Sequence, residues 1–236
     1  YEDYPNAKTF SHMNGDIHDE YYEEGIYVGY RYFDTFDVTP AYPFGYGKSY
    51  TTFDVKTEEV TADAKQISVK VCVTNTGATY SGKEVVQVYY SAPTGKLEKP
   101  YQELAAYVKT KELAPGESEE LIITYQVDRM ASYDVQRASY VLEAGTYYVR
   151  VGVNSRATKV SAAVVLDQET VTGISGFGEP AISKSIPGIG ASLVPGITLP
   201  SASALKCFDS RSPAGPSAST SCLLYTSPSP RDTERS

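Results

Sequence analysis

The stretch Gln66–Asn75 (QISVKVCVTN) decides the fold. Ile67, Val69, Val71 and Val73 alternate with Ser68, Lys70, Cys72 and Thr74. A strand sends successive side chains to opposite faces, so this run has one apolar and one mostly polar face. That is what a half-buried antiparallel strand requires. Asn75-Thr76-Gly77 supplies a turn. Downstream, Glu84–Tyr90 (EVVQVYY) reads as a second strand and Leu104–Lys109 (LAAYVK) as a third. Leu113-Ala114-Pro115-Gly116-Glu117 turns the chain into Glu119–Val127 (EELIITYQV), where Leu121, Ile123 and Tyr125 share one face. Ser139–Leu142 (SYVL) leads into Thr146–Val153 (TYYVRVGV), and Lys159–Leu166 (KVSAAVVL) closes the sheet. Seven or so short strands joined by Pro/Gly turns predict an all-β, two-sheet sandwich of about 100 residues. No helix of ordinary length is expected within it, and Arg129–Asp134 has room for a single turn.

Composition bounds what such a sandwich does. The 236 residues hold 21 Lys+Arg against 29 Asp+Glu, a net charge of −8, which argues against coating nucleic acid. No apolar run approaches the ~20 residues of a membrane helix. Three cysteines (Cys72, Cys207, Cys222) make neither a disulfide framework nor a zinc spacing, and two histidines leave little for a metal centre. The chain starts at Tyr1 with no charged-then-apolar leader, so no export signal is read and a piece of a longer protein is expected.

Of 21 tyrosines, ten lie in residues 1–50, ten in 51–150, and only Tyr225 beyond. Tyr22–Phe33 (YEEGIYVGYRYF) has a strand-like core in Ile26, Val28, Tyr30 and Tyr32, and Pro40–Tyr50 is turn-rich and aromatic. Residues 1–50 hold too little regular pattern for a core of their own. Past about Thr172 the charge thins and Ser, Pro and Gly take over, a composition whose ordering costs more than burial returns. Three segments follow: 1–50, the sandwich at 51–172, and a tail at 173–236 expected to stay disordered.

Several runs are together distinctive. Glu24–Asp34 (EGIYVGYRYFD) and Pro43–Phe53 (PFGYGKSYTTF) resemble a junction in glycoside hydrolase family 3 enzymes, where an α/β sandwich domain ends and a fibronectin type III-like domain begins. Val71–Gly77, Gly82–Tyr89, Glu103-Leu104, Leu113–Glu117, Met130–Asp134 and Leu142–Tyr147 resemble that second domain in order. Lys48 stands where the family more often has Leu. The resemblance implies a fibronectin type III/immunoglobulin-like sandwich in 51–172, preceded by the end of the α/β domain in 1–50. Met130–Asp134 and Tyr140–Gly145 look most like members with permuted domain order, whose barrel would begin shortly after Val171. The sequence there does not read as one. Cys222–Asp232 (CLLYTSPSPRD) is similar to the translation of a sequencing-library adapter. Residues 173–221 read either as a frame-shifted continuation or as an ordinary Ser/Pro linker.

The resemblance also implies an activity: retaining hydrolysis of β-linked sugars, commonly glucose, at non-reducing ends. Such chemistry uses two carboxylates about 5–5.5 Å apart. In this family the nucleophilic Asp sits in a (β/α)8 barrel and the acid/base Glu in the body of the α/β domain. Neither stretch is present here. No catalytic, metal or cofactor-binding residue is therefore assigned, and no cofactor is expected. The expected partners are a β-linked glucoside or oligosaccharide in the intact enzyme and the catalytic domains the sandwich packs on, with no nucleic acid and no membrane.

Four groups of residues and one cysteine are candidate sites. Asp16, His18, Asp19, Glu20, Glu23 and Glu24 form an acidic run, read as a solvated loop in preference to a metal site. Arg31 and Asp34 read as ion-pairing anchors of the junction. Tyr27, Tyr30, Tyr32, Tyr42 and Tyr46 suit either sugar stacking or, as favoured here, a half-wet seam between domains. The polar loop Ala92–Tyr101 (APTGKLEKPY) connects strands, and loops on a rigid sandwich often carry binding. Cys72 has no neighbour in sequence to activate its thiol. The rival function is a non-catalytic carbohydrate-binding or adhesion module, since sandwiches often serve recognition. Scarce cysteine is compatible with a bacterial cytoplasm, favoured over a periplasm or secretion.

Overall fold

The computed structural model describes residues 2–8, 18 and 22–174. Within them lie ten strands: β1 Phe53–Ala62, β2 Gln66–Asn75, β3 Val85–Ser91, β4 Glu103–Lys109, β5 Ser118–Gln126, β6 Ser132–Asp134, β7 Ser139–Leu142, β8 Gly145–Gly152, β9 Thr158–Leu166 and β10 Thr170–Ile174. All pairings are antiparallel, in a three-stranded sheet β1-β2-β5, a four-stranded sheet β4-β3-β8-β9 and a small sheet β10-β7-β6. The sandwich expected from the alternation is thus present.

Its core is the alternation itself. Ile67, Val69, Val71 and Val73 of β2 are all 0 % exposed and face Val86, Val88, Tyr147 and Val149 of the opposite sheet. Ile123 and Tyr125 of β5 join them, with Leu121 partly buried beside them. Fully burying one such side chain is worth about 1.5–3 kcal/mol, so these few residues hold the sheets together. The opposite faces of β2 and β5 are wet. Ser68 meets Thr124 across the strands (3.1 Å) and Thr74 meets Ser118 (2.8 Å). Cys72 lies on this polar face, half-exposed and unbonded to another cysteine.

Three expectations need correction, and one strand, β1, was not among those expected. β1 escapes a period-2 reading because a bulge between Thr57 and Glu59 shifts its phase. Phe53 and Val55 point inward before it, Val60 and Ala62 after it. Ile26–Tyr32 is not strand-like. Tyr30–Thr35 forms the short helix α1 after Gly29, whose φ of 58° turns the chain into it. With no partner strand there, β-propensity loses to the tertiary environment. The single turn placed at Arg129–Asp134 is a 3-10 turn over Val127–Met130, and Ser132–Asp134 is strand β6. Finally, β10 carries ordered backbone past residue 172 to Ile174 by pairing with β7. The rest of the expected disordered tail, the adapter-like 222–232, Cys207 and Cys222 lie outside the described residues. Among the described residues no helix is long and apolar enough to cross a membrane.

Candidate functional site

Strand β3 shows where the sandwich meets something else. Val86, Val88 and Tyr90 enter the core, yet the alternate residues Gln87, Tyr89 and Ser91 are also buried. Their neighbour Arg150, opposite Tyr89 on β8, is buried too. This outer face is covered by residues 22–48, which we call the strap.

α1 supplies the strap's grip. Residues i and i+4 of a helix share a face, and Tyr30, Arg31, Asp34 and Thr35 form such a pair of pairs. The Tyr30 ring stands edge-on to Tyr89 (6.0 Å) and stacks on Phe44 (4.7 Å), and its hydroxyl accepts the Leu104 N–H at 2.8 Å. Arg31 Nε lies 3.1 Å from Glu103 Oε1. Asp34, 9 % exposed, ion-pairs with Arg156 Nε at 2.7 Å and accepts the Gln102 amide N–H at 3.1 Å. Thr35 Oγ1 accepts the Tyr101 N–H at 2.8 Å.

Arg156 closes the helix. Its guanidinium donates to the carbonyls of Phe33 (2.6 Å) and Val38 (2.7 Å) and pairs with Asp37 (2.9 Å). A cation suits the carbonyl-rich end of a helix, and the Val38 N–H to Phe33 O bond marks a Schellman-type ending with Asp37 at φ 53°.

Further along, Ser155 N–H donates to Phe44 O at 2.9 Å. The Gln87 amide donates to Val153 O at 2.8 Å and Gly45 O at 3.3 Å, and its Oε1 accepts the Tyr89 hydroxyl at 2.6 Å. Gly45 (φ 80°) leaves the space this requires, since a Cβ there would lie 2.3 Å from that amide. Arg150 donates to Ser91 Oγ (2.8 Å) and to the Tyr101 hydroxyl (2.9 Å), and lies over the Tyr101 ring. Burial holds the Tyr89 phenol well above its usual pKa, with Tyr30 and Asp34 reinforcing the shift.

Arg31 and Asp34 each ion-pair with a residue of the sandwich, and do so from a helix. Of the five tyrosines, Tyr30 is built into the seam, Tyr27 donates to Glu98 at 2.8 Å, and Tyr32 packs on Phe33 and Phe36. Tyr42 and Tyr46 remain 65 % and 46 % exposed, their rings 5.2 Å apart. Of the acidic run, His18 and Glu23 are exposed and Glu24 is half-buried, while Asp16, Asp19 and Glu20 lie outside the described residues. Among the described residues no three His, Cys, Asp or Glu gather as metal ligands. Gln87, Gln102, Arg150 and Arg156 are the seam residues that sequence reasoning missed. The available signal was a Gln or Arg set between valines, in Val86-Gln87-Val88 and Val149-Arg150-Val151.

The arrangement fastens the strap to the sandwich. Asp34, Asp37 and Glu103, three carboxylates of this seam, are each paired with an arginine.

Residues 84–155 match the family described as the fibronectin type III-like domain. Beta-glucosidase A of Butyrivibrio fibrisolvens is 45% identical over 181 residues, covering 67% of this chain and 21% of that protein. A beta-glucosidase of Ruminococcus albus is 43% identical over 176 residues, covering 72% of this chain and 18% of its own length. Among solved structures, beta-glucosidase 3B from Thermotoga neapolitana in complex with glucose superposes with a TM-score of 0.67 at 45% identity, over 72% of this chain and 24% of that one. The chain spans about a fifth of the length of the curated relatives it matches.

Proposed function

We propose that this chain, which belongs to the glycoside hydrolase family 3 β-glucosidases as a piece bearing their fibronectin type III-like domain, braces the catalytic part of such an enzyme. The observation that carries this role is the two-sidedness of the strap. One side is fixed to the sandwich through Tyr30, Arg31, Asp34 and Thr35. The other still exposes Tyr22, Val28, Phe36, Tyr42 and Tyr46. Exposed apolar surface concentrated on one segment marks a place where another body packs, and the catalytic domains of the longer enzyme are the body we assign to it.

The reaction we assign to the whole enzyme is retaining hydrolysis of β-linked glucosides at the non-reducing end, by two carboxylates lying outside this chain. Small displacements of reacting groups cost rate steeply, so a brace that fixes one domain against another serves catalysis without touching substrate. The 236-residue chain alone is expected to release no nitrophenol from p-nitrophenyl β-glucoside. Deleting the matching domain from the Ruminococcus albus enzyme is expected to lower kcat; unchanged kcat and stability there would refute the brace.

The exposed Tyr42–Tyr46 pair favours one second reading, a carbohydrate-binding module, because flat amphipathic rings suit a sugar's C–H face. Titrating the chain with cello-oligosaccharides while following tyrosine fluorescence separates the two: saturable binding supports the module, and a flat trace leaves the brace. We propose a bacterial cytoplasm over a periplasm or secretion, on the support that cysteine is scarce in the strand-rich part of the sequence. A cleaved export signal on the intact protein would overturn that.

A further inference from the structure

The loop from β3 to β4, Ala92–Gln102, is polar and rich in turn residues, a composition that ordinarily leaves a loop mobile. Here it is wrapped around a buried carboxylate. Glu143, between β7 and β8, is 6 % exposed. Its Oε1 accepts the Lys96 N–H at 2.7 Å and its Oε2 the Leu97 N–H at 3.2 Å, and Oε2 also pairs with the Lys99 ammonium. The Lys99 and Glu143 side chains are only 7 % and 8 % exposed. The fit leaves no room for a side chain at the loop's tip, since a Cβ on Gly95 would lie 2.5 Å from both carboxylate oxygens. At its end the loop is held again, by Tyr101 under the Arg150 guanidinium, and Glu98 accepts the Tyr27 hydroxyl of the strap.

A buried charge is tolerated only when its lone pairs are met, and here backbone donors and one cation from a single loop meet them. Nothing in bracing a neighbouring domain requires this carboxylate. We propose that Glu143 is the positioning residue that locks the β3–β4 loop into one conformation, making it a fixed ledge beside the strap and not a lid.

The lock has a polarity in pH. Burial pushes the Glu143 pKa up, but the Lys99 ammonium and the two N–H donors outweigh it, and the carboxyl ends below its ordinary value. Among the described residues, the other ionisable groups that sense this carboxylate are Arg137 of the β6–β7 turn and Tyr147 of β8, whose hydroxyl donates to the Glu143 carbonyl at 3.0 Å. A depressed carboxylate pKa means the lock is complete above the unfolded-state value and is lost as pH falls through the folded one. The loop is therefore shut at neutral pH and released only in acid, below the usual range for glutamate.

Amide hydrogen exchange on the full chain tests this. The Lys96 and Leu97 amides should be protected at pH 7, and Glu143→Gln should lower that protection at least tenfold while Val69 and Val149 stay protected. In the wild type, protection factors corrected for intrinsic rate should drop toward the Glu143→Gln level as the solution is acidified, and those of Glu143→Gln should not change. Gly95→Ala, whose methyl meets the carboxylate, should reproduce the loss at pH 7. It decides the matter alone if Glu143→Gln unfolds the whole sandwich. Unchanged Lys96 and Leu97 protection in a folded variant, or wild-type protection that ignores acid while the core stays intact, overturns the proposal.

Discussion

The two sheets of this sandwich turn very different outer faces to the world. On β2 and β5 the outward residues are short hydroxyls and charges in water: Ser68 by Thr124, Thr74 by Ser118, and Lys70 between Glu58 (3.0 Å) and Glu120 (3.1 Å). On β3 and β8 the outward residues are equally polar, yet Gln87, Tyr89, Ser91 and Arg150 are buried. Polarity alone does not tell the two faces apart. What differs is satisfaction: water completes the first face, whereas the strap and the β3–β4 loop must supply partners to the second. A buried polar group without a partner costs about 1–3 kcal/mol, whereas an exposed one costs nothing. The covered face is therefore the one that mutation should break.

The largest effect should come from removing the cover. A chain beginning at Thr51 exposes Tyr89 and leaves Glu103, Gln102 and Arg156 without the partners given by Arg31 and Asp34. Several contacts at about 1 kcal/mol or more each should lower stability by about 5 kcal/mol. That is a large share of what a domain possesses. Urea unfolding of the shortened and full chains measures it. Equal midpoints would mean that the strap only rests on the sandwich.

Alkali should come next. Tyr89, Tyr125 and Tyr147 are nearly fully buried, and burial pushes each phenol above its ordinary pKa. The unfolded chain loses these protons near pH ~10 while the folded one keeps them, so stability falls as pH rises past that point. Each tyrosine contributes a slope of about 1.4 kcal/mol per pH unit, and three give about 4. Urea midpoints taken from about pH 9 to 11.5 should show it. Tyr89→Phe should remove one third of the slope along with the bond to Gln87.

Substitution of single seam residues is milder. Asp34→Ala removes the acceptor for both Arg156 and Gln102 and should cost about 3 kcal/mol, the lower end for breaking a buried pair, because Arg156 keeps partial exposure. A drop below ~1 kcal/mol, the range of exposed pairs, would place this contact with the wet face.

The same contrast explains what could be read from the sequence. Period-2 runs such as Ile67–Val73 report a face that is dry opposite a face that is wet, and β2 and β5 were legible for that reason. β3 was found as a strand, but nothing in EVVQVYY says that Gln87 and Tyr89 are covered. That depends on residues 42 to 59 positions earlier, Gly45 and Tyr30. β1 was lost to one extra residue at Glu58. α1 was lost because Ile26, Val28, Tyr30 and Tyr32 mimic a strand, while the pairs Tyr30/Asp34 and Arg31/Thr35 that define its seated face mix ring, charge and hydroxyl, and carry no hydrophobic period. The Glu143 lock was invisible for the same reason, since its partners come from a loop 44 to 47 residues away.

The smallest effect should fall on the wet face, where the sequence does look anomalous. Leu121-Ile122-Ile123 puts three apolar residues in a row, and alternation forces one outward: Ile122, 69 % exposed opposite Lys70. Among the described residues no strap lies over this sheet, and Ile122 is left exposed where Tyr89 is covered. Ile122→Thr keeps the β-branched shape that suits a strand and adds one more hydroxyl to a surface already lined by Ser68, Thr74, Ser118 and Thr124. Its stability should move by less than about 0.5 kcal/mol, the range of ordinary surface changes. Lys70→Ala should likewise leave the urea midpoint within error, because an ion pair in solvent is screened by salt and balanced by side-chain entropy. If Ile122→Thr instead costs as much as Asp34→Ala, this second face has a cover of its own in the intact protein. The sandwich would then be gripped from both sides.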